Sequence, residues 1–221
     1  MEKQRTIHVK GTGMASVAPD YVTIALKLQS QNKEYGHAVR IGAQQVEMLQ
    51  EAVKEAGFSA NDLKTVSFAV DSEYENEEYE ENGHTTYRRI FVGYKCRHNL
   101  RLSFDMDNER LAEVMSAIGD SLAKPEISIA FTVKDTQKVR DMILQSAAED
   151  AHRKAEILCK ASDVELGNLI HIEYSWNELH IENSLDMDWM CAESAVPKAS
   201  YDFHPDDIEA GDTVDFLWEI H

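Results

Sequence analysis

Two glycines near the N-terminus form the first pattern that could do chemistry. A Gly-x-Gly turn between a strand and a helix can bind phosphate, and Gly11 and Gly13 have this spacing. No third glycine follows them, and the chain runs through the turn pair Pro19-Asp20 into a second strand pattern. No helix N-terminus is therefore predicted where a phosphate would bind. We interpret both glycines as strand residues that mark a bulge or a close backbone approach.

A run of carboxylates between residues 71 and 84 is the second candidate. A calcium loop needs aspartate or asparagine at alternate positions and a glycine at a set offset, and this glutamate-rich run with two tyrosines does not supply them. We predict a solvated hairpin tip, and a specific metal site stays open as the alternative. The acidic residues of the run are Asp71, Glu73, Glu75, Glu77, Glu78, Glu80 and Glu81.

Cysteine and histidine residues offer little more for catalysis. Cys159 follows His152 by two helical turns, but no nucleophile motif surrounds either residue, and such a thiol usually serves packing. Cys191 lies in an irregular stretch, where we expect an exposed thiol. The sequence predicts no catalytic residue, no metal ligand and no cofactor. Three histidines with acidic neighbours could meet in space as a metal site, although their spacing does not require it: His171, His180 and His204.

Charge and hydropathy exclude several classes of partner. Forty acidic residues against 22 basic ones give a formal net charge of −18, which disfavours nucleic acid and anionic membrane surfaces. No apolar run approaches the roughly 20 residues that span a bilayer, so no membrane insertion is expected. The N-terminus shows no secretory signal. We expect a cytoplasmic protein as the chain stands, or a periplasmic or secreted one if a signal segment has been removed.

The elements that must position these residues are mostly strands. Apolar and polar residues alternate with period two in six stretches, which indicates a mostly antiparallel sheet with one wet face. Three stretches have helical spacing instead. Gly57 is suited to end the first of these helices, and Asp107 is suited to begin the second. The inward stripe of the third helix is predicted to comprise Val139, Ile143, Ala147, Ala151, Ala155 and Leu158.

The order of these elements predicts an α+β fold in a single domain over residues 1–221. Residues 20–134 have the order βαββαβ of a ferredoxin-like portion. A further helix and strand add one αβ unit, and a C-terminal strand completes the chain. Residues 177–200 lack a sustained period and are predicted to form a long loop excursion. No small-molecule ligand can be named from the sequence.

A long β-hairpin is predicted to protrude from the domain, and its charges are segregated. The segment 87–104 is basic on one face, where Gly93 could form a bulge, and it pairs with a strand whose outward residues are acidic. Cross-strand ion pairs explain this arrangement; the alternative is an arm that contacts another subunit. The candidate oligomer contacts are Arg89, Lys95, Arg97, Arg101, Asp71, Glu73 and Glu75.

Two motifs resemble those of the SIMPL-domain family. The pattern V-x-G-x-G-x₃-V-x-P-D-x-V-x-I-x-L spans Val9–Leu26, and A-x-x-D-A-x-x-K-A-x-x-L spans Ala147–Leu158, followed by an L-G-N-L strand. The resemblance implies a fold that covers residues 5–220, with the glycines as a strand signature. The family that it resembles includes bacterial periplasmic immunogenic proteins, one of which is similar to a ring-forming oligomer. It also includes proteins linked to oxidative-stress defence. It supplies no catalytic motif.

The sequence and the resemblance together predict a non-enzymatic, self-associating protein. We expect a homo-oligomer with a scaffold role that is related to stress. The alternative is a small-molecule or metal-binding module that uses the acidic hairpin tip or the C-terminal region. An enzyme is not expected, because no paired nucleophile and base stands out.

Overall fold

The structure is a computed structural model that describes residues 5–81, 84–175, 182–186 and 203–221. Its strands are β1 (Thr6–Val17), β2 (Tyr21–Asn32), β3 (Lys64–Glu81), β4 (His84–Asp105), β5 (Glu126–Thr132), β6 (Leu166–Glu173), β7 (Glu182–Asp186) and β8 (Ile208–Ile220). Its helices are α1 (Tyr35–Glu55), α2 (Asn108–Asp120) and α3 (Thr136–Ala161), with a short 3-10 helix at Ala60–Asp62.

The chain divides into two compact units, each with its own sheet. Unit 1 comprises Met1–Asp20, Phe131–Asn183 and Pro205–His221, and unit 2 comprises Tyr21–Ala130 and Ser184–His204. The α+β fold class with three main helices and antiparallel sheets is confirmed. The ferredoxin-like likeness and the single domain stay predictions.

Unit 1 consists of a three-stranded antiparallel sheet and one helix. The strand order is β1-β8-β6, and α3 packs against β1 and β8. Alternate residues of β8 face the helix and are buried, because the strand alternates apolar and polar residues. Asp135 begins α3, since its side chain accepts a hydrogen bond from the Lys138 N–H at 3.0 Å.

Unit 2 has a five-stranded sheet in the order β3-β4-β2-β5-β7, with α1 against β2 and β4. Every second residue of β2 from Val22 to Leu28 is buried, and these residues share a face with Leu100 and Leu102 of β4. Asp107 begins α2 as predicted, and Gly57, with φ 82°, follows the end of α1. Strand β7 lies within the predicted 177–200 loop; the rest of that excursion is outside the described residues.

Two apolar stripes differ from the sequence prediction. In α3, Cys159 is buried in place of Leu158, which is half exposed, because the last turn continues the four-residue spacing from Ala155. In β3, Val66 and Phe68 are exposed although their alternation predicts a buried face. A regular alternation alone does not bury a strand when no helix covers the edge of the sheet to which it belongs.

Candidate functional site: the projecting hairpin

The two N-terminal glycines are packing residues and face α3. A Cβ atom at Gly11 would overlap the carbonyl oxygen of Ala147, and one at Gly13 would overlap that of Ile143. The strand and the helix therefore approach closely through glycines on one side and the alanine stripe on the other. The prediction of a close backbone approach is confirmed.

The same helix closes the free edge of β1 with three polar side chains spaced four residues apart. The Thr12 N–H donates to Asp150 Oδ2 at 2.9 Å, the Met14 N–H donates to Ser146 Oγ at 3.5 Å, and Lys154 Nζ donates to the Lys10 carbonyl oxygen at 3.2 Å. Hydrogen bonds from Lys154 and from the Thr12 backbone lower the pKa of Asp150 to about 2. This edge of the sheet is therefore occupied from within the chain.

In the part of the chain that the structure describes, the hairpin of unit 2 has no such cover. Strand β2 pairs with β4 only as far as Asn32 opposite Tyr94, whereas β3 and β4 continue to pair from Tyr74–Phe91 to Glu81–His84. We call these eight residue pairs, residues 74–91, the arm. At about 3.3 Å per residue the arm extends about 26 Å beyond the three-stranded part of the sheet. Among the described residues, no third strand pairs with it.

A bulge at the base of the arm determines which residues share a face. The register shifts between Glu73 and Tyr74, and Gly93 has φ 149° there. The predicted bulge is confirmed, but the predicted faces are wrong beyond it, because one extra residue reverses the alternation. Arg89 therefore lies on the opposite face from Lys95, and Ile90 leaves the apolar face predicted for β4.

The helix-side face at the base of the arm is a chain of aromatic rings. Centroid distances are 5.4 Å between Tyr35 and Tyr94, 5.2 Å between Tyr94 and Phe91, and 5.6 Å between Phe91 and Tyr74, each with an edge-to-face geometry. The Arg89 guanidinium lies 4.4 Å from the centroid of the Tyr74 ring. The sequence analysis missed this surface. The available signal was Gly93, because a bulge there places Phe91 on the same face as Tyr94.

Four of the seven predicted contact residues form ion pairs within the hairpin. Asp71 pairs with Arg97, Glu73 pairs with Lys95 at 3.6 Å, and Glu77 pairs with Arg88 at 2.5 Å. The register places Arg101 opposite Lys64, so this predicted contact residue has no acid directly across from it. Glu75 is exposed. Cross-strand ion pairs thus account for four of the seven candidate contact residues, and their role in oligomer contacts stays a prediction.

The other candidate residues form no reactive group in the described part of the chain. Cys96 and Cys159 are buried, and burial raises the pKa of the Cys96 thiol. His152 contacts Glu156 at 3.3 Å. Among the described residues, no group of three or more histidine, cysteine, aspartate or glutamate side chains is placed to hold a metal ion. His180 and Cys191 lie outside the described residues.

The fold and the exposed arm define an α+β protein with a projecting β-hairpin. No described helix combines the length and apolar character needed to cross a membrane. A family model described as "SIMPL: Protein of unknown function (DUF541)" matches residues 7–218, and the chain belongs to this family. The comparison with curated proteins gives no match. The family description names no activity, so function has to be argued from the arm.

Proposed function

We propose that the protein works by self-association through the arm, as a scaffold, and not by catalysis. The observation that carries the proposal is the length of paired backbone in the arm that has no third strand among the described residues. A two-stranded hairpin alone is at best marginally stable in water. An arm of eight pairs is expected to gain its stability from a partner surface.

The exposed aromatic residues support the same proposal. Tyr74 and Phe91 are 44% and 43% exposed, Tyr35 is 54% exposed and Tyr87 is 65% exposed. Contiguous apolar surface of this kind marks interaction sites, and aromatic residues are enriched at the centre of protein interfaces. The edge-to-face contacts hold three of these rings in place, so little side-chain entropy would be lost on association.

The partner that we propose is a second copy of the chain. The net charge of −18 opposes approach of the copies, so association should strengthen as salt screens their repulsion. The ion pairs of Glu73 and Glu77 with β4 remove part of the acidic field at the hairpin itself. A stress-related role of the resulting scaffold stays a prediction.

A shortened hairpin tests the proposal. Because Tyr74 and Phe91 are directly paired, replacing residues 75–90 with Asn-Gly would close the hairpin by a two-residue turn. We expect the unchanged protein to show a multiple of the 25.1 kDa chain mass by light scattering after size exclusion, and the shortened variant to show the monomer mass. Circular dichroism melting would establish that the shortened variant keeps its fold.

Two outcomes would reject the proposal. One is a monomer mass for the unchanged protein over a range of protein and salt concentrations. The other is an oligomer mass that the shortened variant retains. The double variant Lys10→Ala and Asp215→Ala serves as a control, because it removes an ion pair of unit 1, outside the hairpin, and should leave the mass unchanged.

A further inference from the structure

The two edges of the arm differ in charge. The outer edge belongs to β3, which carries Asp71, Glu73, Glu75, Glu77 and Glu78 and has no lysine or arginine after Lys64. Pairing two β3 edges would place these carboxylates against each other, and like charges on facing strands are destabilising. Edge strands are commonly protected from pairing by charges in this way.

The other edge of the arm belongs to β4 and lacks this protection. Strand β4 contains no acidic residue before Asp105. Its two arginines within the arm are already engaged, since Arg88 pairs with Glu77 at 2.5 Å and the Arg89 guanidinium lies 4.4 Å from the Tyr74 ring centroid. Among the described residues, no strand pairs with this edge along the arm, and β2 begins to pair with it at Tyr94.

We propose that two copies of the chain join by antiparallel pairing of their β4 edges along the arm, about a two-fold axis. This inference rests on the proposed self-association and specifies its contact. It joins the unprotected edges and leaves the acidic β3 edges on the outside of a four-stranded ribbon. The two-fold operator makes the contact self-limiting, because each copy uses the same edge once.

The alternation of side chains and the available length determine the register. A two-fold axis normal to the sheet keeps each side chain on the same face in both copies. One residue of β4 therefore has to lie opposite its own symmetry copy, and we name the axis by that residue. An axis at Arg88 would place this arginine opposite its symmetry copy. An axis nearer to Tyr94 would bring the arm tip against the partner's β2, which ends at Asn32.

An axis at Tyr87 satisfies both conditions. Arg88 then lies opposite the partner's Thr86, and Arg89 lies opposite the partner's Thr85, so no like charges face each other. Tyr87 lies opposite the partner's Tyr87. This residue is 65% exposed and shares a face with Phe91 and Arg89, so the pairing would bury it.

Cysteine crosslinking tests the pairing with a matched control. Residues directly opposite on neighbouring strands have Cα atoms about 4.5–5.5 Å apart, which a disulfide can bridge. With Cys191→Ser in both proteins, the added thiol is Tyr87→Cys or Glu78→Cys. These positions pair with each other across the hairpin, so they lie at the same level of the arm on opposite edges. We expect a disulfide-linked dimer from Tyr87→Cys and none from Glu78→Cys under mild oxidation.

The outcomes separate this inference from the proposed function. If the unchanged protein assembles and Tyr87→Cys does not crosslink, the β4 pairing is wrong while self-association stands. Crosslinking of Glu78→Cys as efficiently as Tyr87→Cys would also overturn the pairing, since the β3 edge would then be in contact. A monomeric unchanged protein rejects the proposed function and the inference together.

A second variant gives an independent readout. Tyr87→Asp would place two carboxylates opposite each other at the axis, and we expect the dimer dissociation constant to rise by about tenfold or more. Glu78→Gln is the control, and it should leave that constant unchanged. Sedimentation equilibrium measures both constants, and an unchanged constant for Tyr87→Asp contradicts the assigned axis.

Discussion

The edge of β1 and the β4 edge of the arm show two ways of treating exposed backbone. At β1, the side chains of Ser146, Asp150 and Lys154 contact the backbone groups that a further strand would use. At the arm, the backbone of β4 has no neighbour beyond β3 among the described residues. An edge covered from within the chain serves the fold, whereas an open one is available for association.

The comparison also shows how differently glycine is used at the two places. At β1, Gly11 and Gly13 admit a helix backbone, which then supplies the polar side chains that cover the edge. At the base of the arm, Gly93 forms the bulge that reverses the side-chain alternation and collects aromatic residues on one face. The glycines of β1 thus allow the edge of a strand to be covered, whereas Gly93 leads to an exposed aromatic face.

The largest expected effect is a loss of stability in Gly13→Ala, which would separate α3 from the edge of β1. The new methyl group would overlap the Ile143 carbonyl oxygen, so strand and helix must separate. We expect a loss of more than about 3 kcal/mol in the free energy of unfolding, above the usual cost of overpacking. Gly119→Ala is the control, because its new methyl group would meet no atom within 4 Å apart from its chain neighbours and the backbone of its own helix. Equal urea midpoints for the two variants would contradict the close approach.

A smaller effect is expected at the open edge from Gly93→Ala. An added Cβ atom would lie 2.7 Å from the Asn32 carbonyl oxygen, at a φ of 149° that side chains rarely adopt. We expect the free energy of unfolding to fall by about 1–3 kcal/mol. We also expect a lower yield of the Tyr87→Cys crosslink, because a shifted bulge changes which residues share a face of the arm. Thermal melting and the crosslink yield are the measurements. Gly36→Ala should change neither, because its methyl group would meet no atom within 4 Å apart from its chain neighbours and the backbone of its own helix.

A pH-dependent effect is expected from Asp150→Asn. The pKa of Asp150 is about 2 in the folded protein, below the ordinary aspartate value of 3.8, so its ionised form favours folding. The contribution is complete above the unfolded pKa and disappears as the pH falls through the folded pKa. Urea unfolding between pH 6 and pH 2 should show the unchanged protein more stable than the variant near neutrality, with the difference vanishing towards pH 2.

The control for that measurement is Asp141→Asn on the same helix. Asp141 accepts a hydrogen bond at 2.8 Å from the Gln137 side chain on the same helix. If Asp141→Asn reduces the pH dependence of the free energy of unfolding as much as Asp150→Asn does, the hydrogen bonds at the β1 edge are not the source of the effect.

The smallest expected effect is the coupling between Asp71 and Arg97. Both side chains are about half exposed, so solvent screens their attraction, and a double-mutant cycle should give about 0.2–1 kcal/mol. The coupling should fall as salt is added. A coupling well above this range, or one that does not change with salt, would indicate that the pair is buried by an assembled partner.

The sequence predicted the fold class, the start of α2 at Asp107 and the hairpin, because these depend on local periodicity and on capping residues. It predicted a structural role for Gly11 and Gly13 and a bulge at Gly93 from the same kind of local signal. It failed at the consequences of that bulge, since a single extra residue moves Arg89 to the other face. The aromatic surface and the covered edge of β1 involve residues distant in the chain, and no local pattern identifies them.

By itself, the sequence determined that this chain forms alternating strands and three helices with a charge-segregated hairpin, because each of these properties lies within one segment. Only the tertiary structure decided which edges remain open. The cover of β1 joins residues that are 138 positions apart, Thr12 and Asp150. The end of β2 at Asn32 likewise decides how far β2 covers the edge of β4. Edge exposure depends on what lies beside a strand, and that is a property of packing between segments.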